Sequence, residues 1–243
     1  MQKFRLITGE QYTYRSPDVH YKEKKKRYPR EVNIRKDFTE EHYSFFPFLQ
    51  LEYYPNQASS WNITYNEDHT DTGALTHERI KFFGFSIKLG LKAPVEIDTQ
   101  TLKFFYNRAL IQNKNFELGG SLGMQILNIN ADAKIPILGS RSESITVPLP
   151  ALGMFASYAH SDRLKYRIRT NYFSLGSISF GELSAGGMVA ESNFCIEYQY
   201  TPTWVIGTGY RYSYLTVKLD QENYSASGSH ITHGPTIFLG ASF

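Results

Sequence analysis

The chain has one cysteine, Cys195, in 243 residues, so no internal disulfide can brace the fold. It has no apolar run approaching the roughly 18 residues that a transmembrane helix needs, which excludes a helical membrane protein. Charge of one sign is scarce too. Lys and Arg number 26 against 23 Asp and Glu, a net +3, and so mild a surplus argues against a nucleic-acid partner. The start, Met1-Gln-Lys-Phe-Arg5, has no basic segment followed by an apolar stretch. If the protein is exported, the sequence is expected to be its mature form.

What is abundant is aromatic side chain. The chain holds 18 Tyr and 17 Phe, yet its mean hydropathy is −0.39. A barrel wall reconciles the two, because every second residue of a membrane-spanning strand faces the lumen and hides the apolar signal. The last ten residues carry the pattern most clearly. Pro235, Ile237, Leu239, Ala241 and Phe243 fall on one face, and Gly234, Thr236, Phe238, Gly240 and Ser242 on the other. A closing strand of this kind, with Ile237, Leu239 and the terminal Phe243 as its outward stripe, is expected to double as the signal read by barrel-assembly machinery.

The same alternation predicts nine further strands. Phe4, Leu6, Tyr12 and Tyr14 mark the lipid face of the first, and Phe45, Leu49, Leu51 and Tyr53 that of the second. Trp61, Ile63 and Tyr65 mark the third. Leu102, Phe104 and Tyr106 follow, then Phe116, Leu118, Leu122, Met124 and Ile126, then Leu152, Met154, Ala156 and Tyr158. The seventh alternates strictly, with Leu164, Tyr166, Ile168, Thr170 and Tyr172 against Lys165, Arg167, Arg169, Asn171 and Phe173. The eighth and ninth show Phe194, Ile196, Tyr198 and Tyr200, then Trp204, Ile206, Tyr210, Tyr212 and Tyr214. Connections near 55, 113, 161 and 202 are tight. Those at 17–43, 67–96, 130–146, 176–183 and 218–229 read as long loops.

Short turns alternating with long loops predict an all-β, transmembrane, antiparallel up-and-down β-barrel forming a single domain over 1–243. It has about ten strands, short periplasmic turns, long outer loops and both termini in the periplasm. Eight or twelve strands are the alternatives, depending on residues 30–38 and 79–91. A lipocalin-like barrel or sandwich would turn the same faces inside out. Strands near ten residues, Tyr and Trp at strand ends and the terminal Phe favour the membrane reading.

The opposite faces predict a charge ladder inside the lumen: Lys103, Lys165, Arg167, Arg169 and Arg211 against Glu52, Glu117, Glu191 and Glu197. Buried charges must pair, so the ladder is expected to stiffen the wall. Gly119, Ser121, Gly123, Gly153, Ser157, Gly207 and Gly209 are small lumenal residues that would leave a cavity or thin pore beside it. Lys22, Lys24, Lys25, Lys26, Arg27 and Arg30 form a basic run in the first outer loop, a candidate contact for lipopolysaccharide phosphates. Ser184, Gly186, Met188, Ala190 and Ser192 are small for a lipid face and would admit a neighbouring barrel, making a homo-oligomer. Seven histidines are present. Asp68-His69 with Asp71, and Ser229-His230, are drawable as fragments of a catalytic triad, but adjacency in sequence does not establish reach. No cofactor, metal or catalytic site is expected.

From Val32 to Phe243 the chain resembles a widespread, mostly uncharacterised family of proteobacterial outer-membrane β-barrel proteins. The resemblance is carried by Glu31-Val-Asn-Ile-Arg-Lys-Asp-Phe38, Leu118-Gly-Gly-Ser-Leu-Gly-Met-Gln-Ile-Leu-Asn-Ile129, Val147-Pro-Leu-Pro-Ala-Leu-Gly153, Tyr172-Phe-Ser-Leu175, Gly207-Thr-Gly-Tyr210 and His233-Gly-Pro235. It implies a fold and a location, with membrane lipid and lipopolysaccharide as surroundings, and no reaction. The expectation is a non-enzymatic integral outer-membrane barrel, a structural or small-pore component that self-assembles. A lipid A or phospholipid modifying enzyme, and a surface receptor or adhesin using the outer loops, are the alternatives.

Overall fold

A computed structural model describes residues 3–23, 31–33, 38–40, 43–76, 80–82, 85–87, 91–135, 139–180, 183–221 and 224–243. Ten long strands make the wall: β1 (Phe4–Glu23), β2 (Tyr43–Asn56), β3 (Ser59–Thr76), β4 (Leu91–Gln112), β5 (Phe116–Ile135), β6 (Gly139–Ala159), β7 (Leu164–Phe180), β8 (Leu183–Gln199), β9 (Trp204–Gln221) and β10 (Tyr224–Ser242). Each pairs antiparallel with the next, and β10 pairs with β1 from Arg5 opposite Ser242 to Glu23 opposite Tyr224. The sheet is therefore a closed ten-stranded meander. The two segments that left eight or twelve strands open supply short pieces beyond the wall. Glu31–Asn33 pairs with β1 and Phe38–Glu40 with β3, while Ile80–Phe82 and Phe85–Ile87 pair with each other.

The four tight turns lie at one end of the barrel together with Lys3 and Phe243, and each turn is closed by its own sequence. The Asn56 amide oxygen accepts from Ala58 N (2.9 Å), and the Asn113 oxygen from Phe116 N (2.8 Å). Ser161 Oγ accepts from Leu164 N (3.1 Å), and Thr201 Oγ1 from Trp204 N (3.0 Å). Short polar side chains that substitute for a backbone partner are what two- to four-residue connections need. The terminal residue joins the same rim: Phe4 N donates to Phe243 O, and Phe243 N to Phe4 O, both at 2.9 Å.

At the other end the long connections are mostly strand. Residues 67–76 and 91–96 continue β3 and β4, residues 130–135 and 139–146 continue β5 and β6, and the described residues 17–23, 176–180, 218–221 and 224–229 are likewise strand. Here the structure departs from the loop reading. Beyond the membrane both faces of a hairpin meet water, so its sequence loses the apolar alternation while keeping the ladder of backbone hydrogen bonds.

The wall is inside out relative to a soluble domain. The most deeply buried side chains are Glu52, Asn62, Asn107 and Thr13, whereas Leu122, Met154 and Ile237 are 61–67% exposed on the outer face. Every outward stripe named from the sequence falls on that face, and Thr8 and Glu10 interrupt it on β1. On β5 the apolar stripe runs from Phe116 to Ile126, which at strand rise and barrel tilt spans roughly 25 Å, the height of an outer-membrane apolar band. Rings gather at its turn end, where Phe4 stacks on Tyr53 at 4.8 Å and Trp61 meets Tyr106 at 4.9 Å. Its other edge is drawn by side-chain amides and hydroxyls. Gln100 donates to Glu67 (3.3 Å), Asn128 to Gln100 (3.4 Å) and Thr146 to Asn128 (3.2 Å), a polar row across β3, β4, β5 and β6.

The small lumenal residues do not leave an open channel. Gly119 lies opposite Phe155, Gly123 opposite Phe105 and Gly207 opposite Phe238, and a Cβ at each glycine would run into the facing ring. The glycines make room for aromatics that fill the narrow interior. Gly207→Val is expected to lower stability by about 1–3 kcal/mol through overpacking. Gly120→Ala, whose Cβ would meet nothing nearer than 3.9 Å, should be close to neutral. The urea midpoint of the heat-modifiable band in detergent checks both.

Candidate functional site: the charged lumen

Alternation sends Arg5 inward from β1, Glu52 from β2, Arg167 from β7 and Glu197 from β8, all close to the turn end. There they form one ion-pair knot. Arg167 Nη2 reaches Glu52 Oε1 at 2.9 Å and Nη1 reaches Glu197 Oε1 at 3.1 Å; Arg5 Nη2 lies 3.0 Å from Glu197 Oε1, and its Nη1 lies 3.7 Å from Glu52 Oε2. Glu52 also accepts from the Tyr54 hydroxyl (2.6 Å) and the Gln50 amide (2.9 Å). With these four partners a carboxylate that is 1% exposed is fully solvated by protein, and charge-assisted bonds of this kind are the strong ones.

A second knot lies further from the turns. Glu191 of β8 pairs with Lys103 of β4 and, at 3.1 Å, with Arg211 Nε of β9, whose Nη1 donates to Gln11 of β1 at 3.0 Å. Beside it Phe105, Leu149, Ala151 and Phe173 form a buried apolar cluster with Val189 packed against them. The two knots and this cluster cross the lumen between opposite walls.

The expected ladder is thus two separate knots, and two of its cations stand outside them. Among the described residues Lys165 and Arg169 have no carboxylate within ion-pair distance, and Glu117 is bonded by Ser157 at 3.2 Å. Arg5, Tyr54 and Gln11 belong to the knots although the sequence reading did not name them. Parity marks Arg5 and Gln11 as lumenal, opposite Phe4 and Tyr12, so the signal was present on β1. Which charge meets which depends on reach across the barrel, as from β7 to β2, and no local pattern carries that.

The other singled-out residues fall elsewhere. Ser184, Gly186, Met188, Ala190 and Ser192 lie on the outward face of β8, half-buried. Tyr172 and Tyr214 flank Ala190 in the sheet, and Ser192 shares a hydrogen bond with Thr170 at 3.1 Å. Ile237, Leu239 and Phe243 are exposed outward on β10. Of the basic run, Lys24, Lys25, Lys26, Arg27 and Arg30 lie outside the described residues, and the Lys22 backbone pairs near the far end of β1. His69 contacts Asp98 on the outward face, above the polar row. His233 also faces outward, its Nδ1 2.6 Å from the Tyr210 hydroxyl, with the Tyr14 ring at 5.3 Å. Neither imidazole faces the lumen. Of the other residues in the triad fragments, the side chains of Asp68, Asp71 and His230 lie outside the described residues.

The wall, rim and lumen define a class: a closed antiparallel barrel with the architecture of bacterial outer-membrane proteins. No protein-family model and no curated protein matches the chain. Among solved structures, the outer-membrane protease OmpT from Escherichia coli aligns over 98% of this chain and 97% of its own, with 10% identity and a TM-score of 0.61. The transport unit of the autotransporter AIDA-I from Escherichia coli aligns over 100% and 91%, with 9% identity and a TM-score of 0.47. The translocator domain of the autotransporter NalP from Neisseria meningitidis aligns over 100% and 88%, with 11% identity and a TM-score of 0.46. At 10% identity the likeness to OmpT is one of fold alone.

Glu52→Gln is expected to destabilise the barrel by about 3–5 kcal/mol, because it leaves two guanidinium groups buried around a neutral amide. Glu117→Gln, outside the knots, should cost less than 1 kcal/mol. Urea unfolding in micelles, followed through Trp61 and Trp204 fluorescence, separates the two.

Proposed function

We propose that the protein is a non-enzymatic integral barrel of the bacterial outer membrane whose lumen is shut by its own charges, a wall component and not an open diffusion pore. The observation that carries this reading is Glu52, 1% exposed and gripped by Arg167 and Arg5 from other parts of the wall. A water-filled porin uses about 16 strands to leave a channel; ten strands with inward Phe105, Phe155 and Phe238 leave little room. The turn rim, which also holds Lys3 and Phe243, is assigned to the periplasm by the rule that outer-membrane barrels keep their short turns there. The protease activity named for OmpT does not transfer on a shared fold.

Single-channel recording in planar bilayers tests the closed reading. The native protein should show no steady porin-sized conductance, and combined replacement of Arg5, Glu52 and Arg167 by Ala should raise whatever leak is seen. A large steady conductance from the native chain would overturn it. Lipid A and phospholipid mass spectra from cells with and without the protein test the non-enzymatic half, and a protein-dependent change in acylation would overturn that half.

The small strip on β8, bordered by Tyr172 and Tyr214, is the surface we assign to contact with a second copy. Small residues let walls approach closely, and exposed rings on either side supply dispersion area. An Ala190→Cys variant should form disulfide-linked dimers in native membranes, with Ile63→Cys on β3, outward-facing and five strands away round the wall, as the negative control. A strictly monomeric result at 190 removes the assignment.

A further inference from the structure

We propose that the lumen contains a binding site for a small anion, with the Arg169 guanidinium and the Thr236 hydroxyl as its donors, in the space between the two ion-pair knots. Two cavities of about 60 and 100 Å³ lie in the lumen, and Phe48, Gln50, Arg169, Asn193 and Thr236 line both. Arg169 therefore stands at their shared wall. Space of that size holds several waters, or one small anion with part of its hydration.

Three observations point to an anion. The first is charge: among the described side chains, the lumenal faces of the strands carry six cations, Arg5, Lys103, Lys165, Arg167, Arg169 and Arg211, against four carboxylates, Glu52, Glu117, Glu191 and Glu197. The second is pairing. Glu52, Glu191 and Glu197 are already occupied by Arg5, Arg167, Lys103 and Arg211, whereas Arg169 makes no ion pair or hydrogen bond among the described residues. An arginine cannot relieve this by giving up a proton, as a lysine can. The third is Thr236. It is 4% exposed, its Oγ1 has no hydrogen-bond partner among the described residues, and it lines both cavities. A buried hydroxyl without a partner costs free energy, and a donor that shares a cavity with a guanidinium lacking an ion pair is complementary to one chemistry, a compact negative charge. The site stands whether or not the barrel conducts, since it concerns equilibrium occupancy.

The test uses the full chain folded in detergent micelles. Its thermal midpoint is followed by tryptophan fluorescence while sodium chloride or sodium phosphate replaces sodium gluconate, an anion too bulky for the cavities, at constant ionic strength. The native protein should show a saturable rise in midpoint with at least one of the two anions at millimolar concentration. A response to chloride alone assigns a halide site, and a response to phosphate alone an oxyanion site. Arg169→Gln should weaken the response at least tenfold and be the more stable protein in gluconate alone, because it removes an unpaired charge. Thr236→Val should weaken the response to a lesser extent. The proposal is overturned if the native protein shows no saturable response to either anion, or if Arg169→Gln responds as the native protein does. Should Arg169→Gln fail to fold, a native-like response from Thr236→Val overturns it instead.

Discussion

A strand in hydrocarbon has no water to satisfy its amides, and each unpaired N–H or C=O there costs several kcal/mol. The pairing of β10 with β1 removes the last free edge, and much else in the molecule follows from it. Closure makes one face of every strand lipid-facing and the other lumenal, so a single two-residue period decides the environment of each side chain. It also brings Phe243 to the rim beside Phe4, where backbone bonds join the first strand to the end of the last. The terminal aromatic is thus part of the seam.

A ten-stranded wall then encloses a space too narrow to stay empty and too polar to be a simple apolar core. The chain answers in two ways. Opposite each of three glycines, Gly119, Gly123 and Gly207, it places a phenylalanine whose ring lies over the missing side chain. Across the remaining width it places charges, which are costly to bury unless held in pairs with good geometry. Glu52 meets that condition with partners from β1, β2 and β7. The knot near the turns and the knot around Glu191 tie together strands that are not neighbours in the sheet, β2 to β7 and β4 to β8, and such cross-bracing resists flattening of the wall.

The sequence made the wall legible and left its contents only partly so. Lipid-facing stripes such as Phe116 to Ile126 must alternate because their two faces touch different solvents, and with the alternation of tight and long connections this located ten spanning segments while leaving eight or twelve open. Past the polar row of Glu67, Gln100, Asn128 and Thr146 the two faces no longer differ in this way. Residues 67–76 accordingly read as loop while continuing β3. In the lumen, parity identified which charges face inward but not their partners, since Arg167 finds Glu52 across the barrel and 115 positions away in sequence. The glycines were read as gaps for the same reason: their filling by Phe105, Phe155 and Phe238 depends on strand register, which no single strand encodes.

The arrangement of charge also explains why lumenal cations need not be equivalent. Arg5 and Arg167 share Glu52 and Glu197, and removing either guanidinium would leave a buried carboxylate short of a partner. Arg169 sits one lumenal position beyond Arg167 on β7, yet the neighbouring strand offers it Asn193 and not a carboxylate, because the β7–β8 register sets Lys165 against Glu197, Arg167 against Cys195 and Arg169 against Asn193. A shift of two residues in that register would place Arg169 opposite Glu191, but it would also move Lys165 opposite Cys195 and away from Glu197. The observed register instead commits Glu191 to Lys103 and Arg211. The unpaired cation therefore follows from strand pairing, and it leaves a fixed positive charge between two cavities where a neutral side chain would have filled space as well.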